Sequence, residues 1–125
     1  MVAWGHRGGP PGSNLTFNYG TDYRWGAVGH WDWPDLGWND LGGAPEAGVW
    51  HYLVYTYDGV MTRVYADGDL SNSEALGPGV INTHPNTQIT LATQIGNDGL
   101  TLDFNPNLIG TLSIAKVRVH DGVLT

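Results

Sequence analysis

Residues 29 to 38 read GHWDWPDLGW, which sets Trp31, Trp33 and Trp38 beside His30, Asp32 and Asp35 within ten positions. A sugar ring presents an apolar face of C–H groups fringed by hydroxyls. A protein holds it with an aromatic ring against that face and carboxylate, amide or cationic groups around the rim. Pro34, Gly37 and the interleaved Asp32, Asp35, Asn39 and Asp40 make the stretch a loop, and loops lie at the surface and carry function disproportionately. The loop therefore reads as a carbohydrate-binding surface: Trp31, Trp33 and Trp38 as stacking platforms, with His30, Asp32, Asp35 and Arg7 as hydrogen-bonding partners. The competing reading folds the tryptophans back as a lid that makes a second small core. His6, Arg7 and Gln94 lie at the ends of strand-like runs and could gather near the loop or form ordinary solvated polarity.

Other chemistries find less. Calcium needs six to eight oxygen ligands; the candidate sets are Asp32, Asp35 and Asp40, or Asn97, Asp98, Asp103 and Asn105, none in a recognised loop spacing. Glycoside hydrolysis needs two carboxylates across the scissile bond. The two glutamates, Glu46 and Glu74, are far apart in loop-like context, and Asp67 and Asp69 alternate correctly but sit on an Asp-Gly turn. No Gly-x-Ser-x-Gly stretch marks a nucleophile elbow. A non-enzyme is expected, with no catalytic residues. Asn14-Leu15-Thr16 is a glycosylation sequon by pattern, meaningful only in a eukaryotic secreted protein.

The elements that must position these residues are short strands. In 125 residues, 19 glycines and 7 prolines fall without a triplet period, which implies many turns and few long helices. The runs 2–5, 15–20 and 25–31 are strand-like. VWHYLVYTYDG (49–59) and TRVYADG (62–68) form an antiparallel hairpin, since Asp58-Gly59 and Asp67-Gly68 favour the positive φ of tight turns. DLSNSEAL follows as a short segment with a helical turn near SNSEAL, QITLATQ (88–94) reads as a strand, and GTLSIAKVRVHDGVL (110–124) as a long last strand. Trp4, Trp25 and Trp50 lie in these runs and read as core, and His51 as a packing or hydrogen-bonding residue. One domain is expected.

Twelve acidic residues against five basic ones give a net charge of −7, which opposes nucleic acid and anionic membranes as partners. No apolar run approaches the length of a bilayer span and no leader-like start is present. The absence of cysteine excludes disulfides and thiolate metal sites. The opening MVAWG suggests a piece of a larger secreted protein, with Met1 supplied for expression.

The hairpin VWHYLVYTYDGVMTRVYADGDL (49–70) resembles the signature hairpin of the laminin G-like domains of the concanavalin A-like lectin and glucanase superfamily. TQITLATQ (87–94) and GTLSIAKVRVHDGVLT (110–125) extend the resemblance, the latter being similar to the family's closing strand. The resemblance implies an all-β fold, an antiparallel jelly-roll sandwich, here lacking one or two N-terminal strands. An uncovered sheet edge invites pairing, so a homodimer through that edge is an expectation. It also implies secretion, a glycan or polysaccharide as partner, no membrane insertion, and structural calcium of the kind many relatives bind at the rim. Retaining hydrolases of the fold carry Glu-x-Asp-x-x-Glu on one strand, and this chain lacks it. The expected function is a non-catalytic, lectin-like carbohydrate-binding module of a larger exported bacterial protein. The alternatives are a structural, protein–protein interaction or adhesion domain and, third, a glycan hydrolase or lyase.

Overall fold

The computed structural model describes residues 1–32, 34–41, 43–78, 81–83, 86–104 and 111–122. Strand β1 (Val2–Gly5) pairs antiparallel with β2 (Asn14–Phe17), with Ala3 opposite Thr16 and Gly5 opposite Asn14. Successive side chains on a strand point to opposite faces. Val2, Trp4, Leu15 and Phe17 therefore share one face, and Ala3, Gly5, Asn14 and Thr16 the other. On either side, β3 (Val28–His30) sets Gly29 opposite Thr16, and β7 (Ile89–Leu91) sets Thr90 opposite Ala3. The sheet runs β3-β2-β1-β7. One face is apolar, whereas the other is made of small, hydroxyl and amide side chains.

The hairpin forms the second sheet, in the order β4-β5-β6, from β4 (Leu53–Tyr57), β5 (Met61–Ala66) and β6 (Asp69–Ala75). Its turns follow the expected chemistry. The Asp58 carboxylate accepts from the amides of Val60 and Met61 at 3.0 and 2.8 Å, and Asp67 and Gly68 adopt φ of 55° and 97°, the paired positive angles of a tight hairpin turn. The segment near SNSEAL is thus not a helical turn but part of strand β6, paired along β5 from Asp69 to Ala75 with a register shift at Val64/Tyr65.

The two sheets meet over Ala27, Val28, Leu36, Trp38 and Val64, against which Leu15, Phe17, Leu53, Tyr55 and Ala66 pack. Burying each large apolar side chain contributes about 1.5–3 kcal/mol, so this cluster is what holds the layers together. A short ribbon, β8 (Gln94–Ile95) with β9 (Leu102–Asp103), continues from the end of β1. It is attached there by a parallel bridge from His6 to Ile95 and the Arg7 amide on the Ile95 carbonyl. Among the described residues there are no helices, and hence none long and apolar enough to cross a membrane. The pattern is an all-β antiparallel sandwich.

Two expectations need correction. Residues 111–120 of the anticipated last strand are in no strand, and their side chains are exposed. Alternation makes a segment able to pair, but a strand exists only beside a partner edge, and among the described residues none is paired with it. Trp50, expected in the core, is 69% exposed, because the regular part of the hairpin begins only at Leu53.

Candidate functional site

The face of the four-stranded sheet turned away from the apolar cluster carries the candidate site. Its floor is low where Gly29 brings no side chain to it; a Cβ on Gly29 would stand 2.7 Å from Thr16 Oγ1. A hollow of about 270 Å³ results, with Asn14, Thr16, Asn18, Gln94, Trp25 and Trp31 in its lining. The spacing of Asn14, Thr16 and Asn18 is the two-residue period of an extended chain, which turns all three to one side.

A relay of hydrogen bonds fixes these groups. Asn14 Nδ2 donates to Gln94 Oε1 at 3.1 Å, Gln94 Nε2 donates to Asp103 Oδ2 at 3.1 Å, and Arg7 Nη1 donates to the same oxygen at 2.7 Å. Asn18 Nδ2 donates to Thr16 Oγ1 and to the Trp25 carbonyl at 3.2 and 3.3 Å. The amide oxygens of Asn14 and Asn18 are buried and accept no hydrogen bond among the described residues, leaving acceptor capacity uncompensated at the floor.

Trp25 and Trp31 wall the hollow for different reasons. Trp31 is held by Nε1 on the Gly9 carbonyl at 2.9 Å, and the Arg7 guanidinium lies over its ring, 5.4 Å from the centroid. Arg7 therefore occupies one face of Trp31. Trp25 is presented by a closed loop in which Gly20 donates to the Gly26 carbonyl and Gly26 to the Asp22 carbonyl. A Cβ on Gly26 would lie 2.4 Å from the Asp22 carbonyl oxygen, so only glycine lets the loop close. Trp25 read as core from its sequence context; in the fold it is half-buried at the rim of the hollow.

The remaining expected site residues are dispersed. Trp38 is not a surface platform: it is 2% exposed, within 5.8 Å of the Phe17 ring centroid, in the apolar cluster. Its neighbours on the sheet face offer enough apolar area that the indole gains more inside than in water. His30 borders the hollow but is itself interior, 4% exposed on the core-facing side of β3. Its Nδ1 donates to the Pro34 carbonyl at 3.0 Å and its Nε2 accepts from Tyr55 Oη at 2.9 Å, a neutral tautomer whose pKa burial lowers. Asp35 does reach the hollow. Its Oδ1 accepts from the His30 amide at 2.7 Å, and burial pushes its carboxyl up to about 6. Asp32 is exposed at a φ of 59° and is not part of the lining. Trp33 lies outside the described residues.

A second, larger hollow of about 650 Å³ adjoins the first between residues 23–40 and β6, lined among others by Tyr23, Arg24, Asp40 and Glu74. Trp25 and Asp35 belong to both.

A family model described as the concanavalin A-like lectin/glucanases superfamily, of laminin G type, matches residues 3–125. The chain belongs to the concanavalin A-like lectin/glucanase superfamily. No curated protein and no solved structure matched it.

In this concanavalin A-like domain the calcium candidates do not converge. Among the described residues no three acidic or histidine side chains come together. The Asp98 carboxylate accepts from the amides of Leu100 and Thr101 and from the Thr101 hydroxyl, and Asp103 is bound to Arg7 and Gln94. Asn105 lies outside the described residues.

The polar face of β2 was the missed signal. Asn14, Thr16 and Asn18 alternate with Leu15 and Phe17, a pattern that reads as a sheet face turned to solvent. Only pairing with β3, which sets Gly29 opposite Thr16, and the approach of Gln94, Trp25 and Trp31 convert that face into a hollow.

Proposed function

We propose that this domain is a non-catalytic, lectin-like carbohydrate-binding module of a larger exported protein, and that it binds over the polar face of the four-stranded sheet, to which the loop at 31–38 contributes Trp31 and Asp35. The observation that carries the reading is the recessed floor of amide and hydroxyl side chains, Asn14, Thr16, Asn18 and Gln94, walled by Trp25 and Trp31. Those groups both donate and accept, as do sugar hydroxyls, and an indole beside them matches the apolar face of a pyranose ring. Membership of a superfamily that contains lectins and glucanases agrees with a glycan ligand without choosing one.

The test is a glycan array followed by titration of the best ligand into Trp25→Ala, Asn18→Ala and the parent protein. Trp25→Ala is expected to weaken binding about tenfold or more, equivalent to about 1.4 kcal/mol, with an unchanged circular dichroism spectrum. Unaltered affinity in both variants would overturn the placement, and an array without hits would overturn the function. Reducing-sugar release from mixed polysaccharides would instead favour a hydrolase.

A second reading, an adhesion or protein–protein interaction domain, is favoured by the exposure of Val49, Trp50 and Tyr52 ahead of β4, at 57%, 69% and 70%. Such a run beside an edge strand suits pairing with another chain, including a second copy. Sedimentation showing only monomer, with no change on Trp50→Ala, would count against it.

A further inference from the structure

We infer that the two adjoining hollows form one groove that takes an extended, uncharged oligosaccharide running past Trp31, Trp25 and Tyr23 in that order. This rests on the carbohydrate reading above and adds to it the length and the charge class of the ligand.

Continuity comes from the shared wall: Trp25 and Asp35 line both the hollow over the sheet and the one against β6. A ligand stacked on Trp25 therefore has space on either side of that ring. The same device stands in each hollow. Arg7 lies over Trp31 in the first and Arg24 over Tyr23 in the second, each guanidinium 5.4 Å from the ring centroid. In each case the cation takes one face and fixes the ring's attitude. Tyr23 remains 55% exposed, which leaves ring surface open to a ligand.

The far hollow is built and not merely left over. Asn72 on β6 donates from Nδ2 to the Gly37 carbonyl at 3.1 Å, fixing the loop to the second sheet. The charges then select against acidic ligands. Asp35, Asp40 and Glu74 line the far hollow, where Arg24 is turned to Asp22 at 3.4 Å. In the near hollow, Arg7 is neutralised by Asp103 at 2.7 Å. A uronate or sulfate group would meet carboxylates without a free guanidinium, so like-charge repulsion excludes it.

Isothermal titration of gluco-, manno-, galacto- and xylo-oligosaccharides of two and six residues, with hexagalacturonate as the acidic probe, tests the inference. The expected result is a neutral hexamer that binds at least about tenfold tighter than its own dimer. Tyr23→Ala should bring the hexamer down to the dimer's affinity while leaving the dimer unchanged. Equal affinity for dimer and hexamer, a hexamer insensitive to Tyr23→Ala, or preference for hexagalacturonate would overturn the extended neutral groove while the carbohydrate reading stands. Absence of binding by every oligosaccharide would overturn that reading and the groove with it.

Discussion

The Tyr55 hydroxyl on β4 donates to Nε2 of His30 on β3 at 2.9 Å, a polar link between the two sheets set against their apolar cluster. The ring centroids stand 5.9 Å apart. Because His30 Nδ1 is already committed to the Pro34 carbonyl, Nε2 is an acceptor only, and burial makes charging the ring unfavourable.

Tyr55→Phe removes the donor and leaves that nitrogen unpaired inside the sandwich. A buried polar atom without a partner costs about 1–3 kcal/mol, so urea denaturation should show a loss of that size. Glycan affinity should be unchanged, because Tyr55 lies on the far side of the sheet from the hollow. A loss well below that range would show that water reaches His30 from the loop side.

Trp38 and Trp25 should respond oppositely to truncation. Trp38→Ala empties the centre of the apolar cluster, for which the expected loss is about 3–5 kcal/mol, a large share of the stability of a small domain. Trp38→Phe keeps part of the volume and removes an indole N–H that has no partner among the described residues, so it should be much milder. Trp25→Ala should leave the melting temperature nearly unchanged. Thermal melts of the three variants decide the matter, and equal losses for Trp25 and Trp38 would place Trp25 in the core.

Asp35 predicts a pH dependence whose sign follows from its burial. Its carboxyl, at 3.8 when free, is pushed up to about 6 in the fold. Between those values the folded state holds a proton that the unfolded chain has released, so this group favours folding at low pH and the advantage disappears as pH rises through 6. Asp35→Asn keeps an oxygen for the His30 amide and avoids the buried charge. The variant should be more stable than the parent at pH 7 by on the order of 1 kcal/mol, the half-exposed setting screening the rest, and no more stable near about pH 3.5. Denaturation at the two pH values measures the difference; an equal effect at both would mean that Asp35 titrates as an ordinary surface carboxylate.

His51 provides an independent titration on the hairpin. Nδ1 faces the Asp67 carboxylate at 2.6 Å and Nε2 faces the Glu46 carbonyl at 2.8 Å. Both partners are acceptors, so the ring is held with two N–H groups. Its pKa is raised, chiefly by the Asp67 hydrogen bond, and that of Asp67 is lowered, chiefly by His51. The pair contributes most between the free carboxylate and free imidazole ranges; it is lost as pH falls through the lowered value or rises through the raised one. An NMR titration should place the His51 midpoint above 6.5, with Asp67→Asn returning it toward that value.

Chelation should change little. With Asp98 capping its own turn and Asp103 paired to Arg7, excess chelator is expected to leave both the melting temperature and glycan binding unaltered. A marked fall in melting temperature would reveal a cation ligated by donors other than these.

Much of the architecture was written locally. Asp58-Gly59 and Asp67-Gly68 between apolar runs demand a hairpin because few other residues accept those backbone angles, and the strands stand where the turns require, though shorter than the apolar runs. The composition likewise forecast strands in place of helices. The site was not local in the same way. A sequence shows that Trp25, Trp31 and Trp38 are aromatic, but their burial depends on what lies across from each. Trp38 went inward because Phe17, Val28 and Val64 surround it; Trp25 stayed at the rim because Gly26 closes its loop.

By itself, then, the sequence determined the acidic charge, the all-β character and the turn positions, since these follow from composition and from backbone angles set residue by residue. Which tryptophan stays at the rim of a hollow, which histidine is interior, and where Asn14, Thr16 and Asn18 meet Gly29 and Gln94 were decided only by tertiary structure. Those facts depend on register between strands far apart in the chain, where a slip of one residue would turn every side chain to the opposite face.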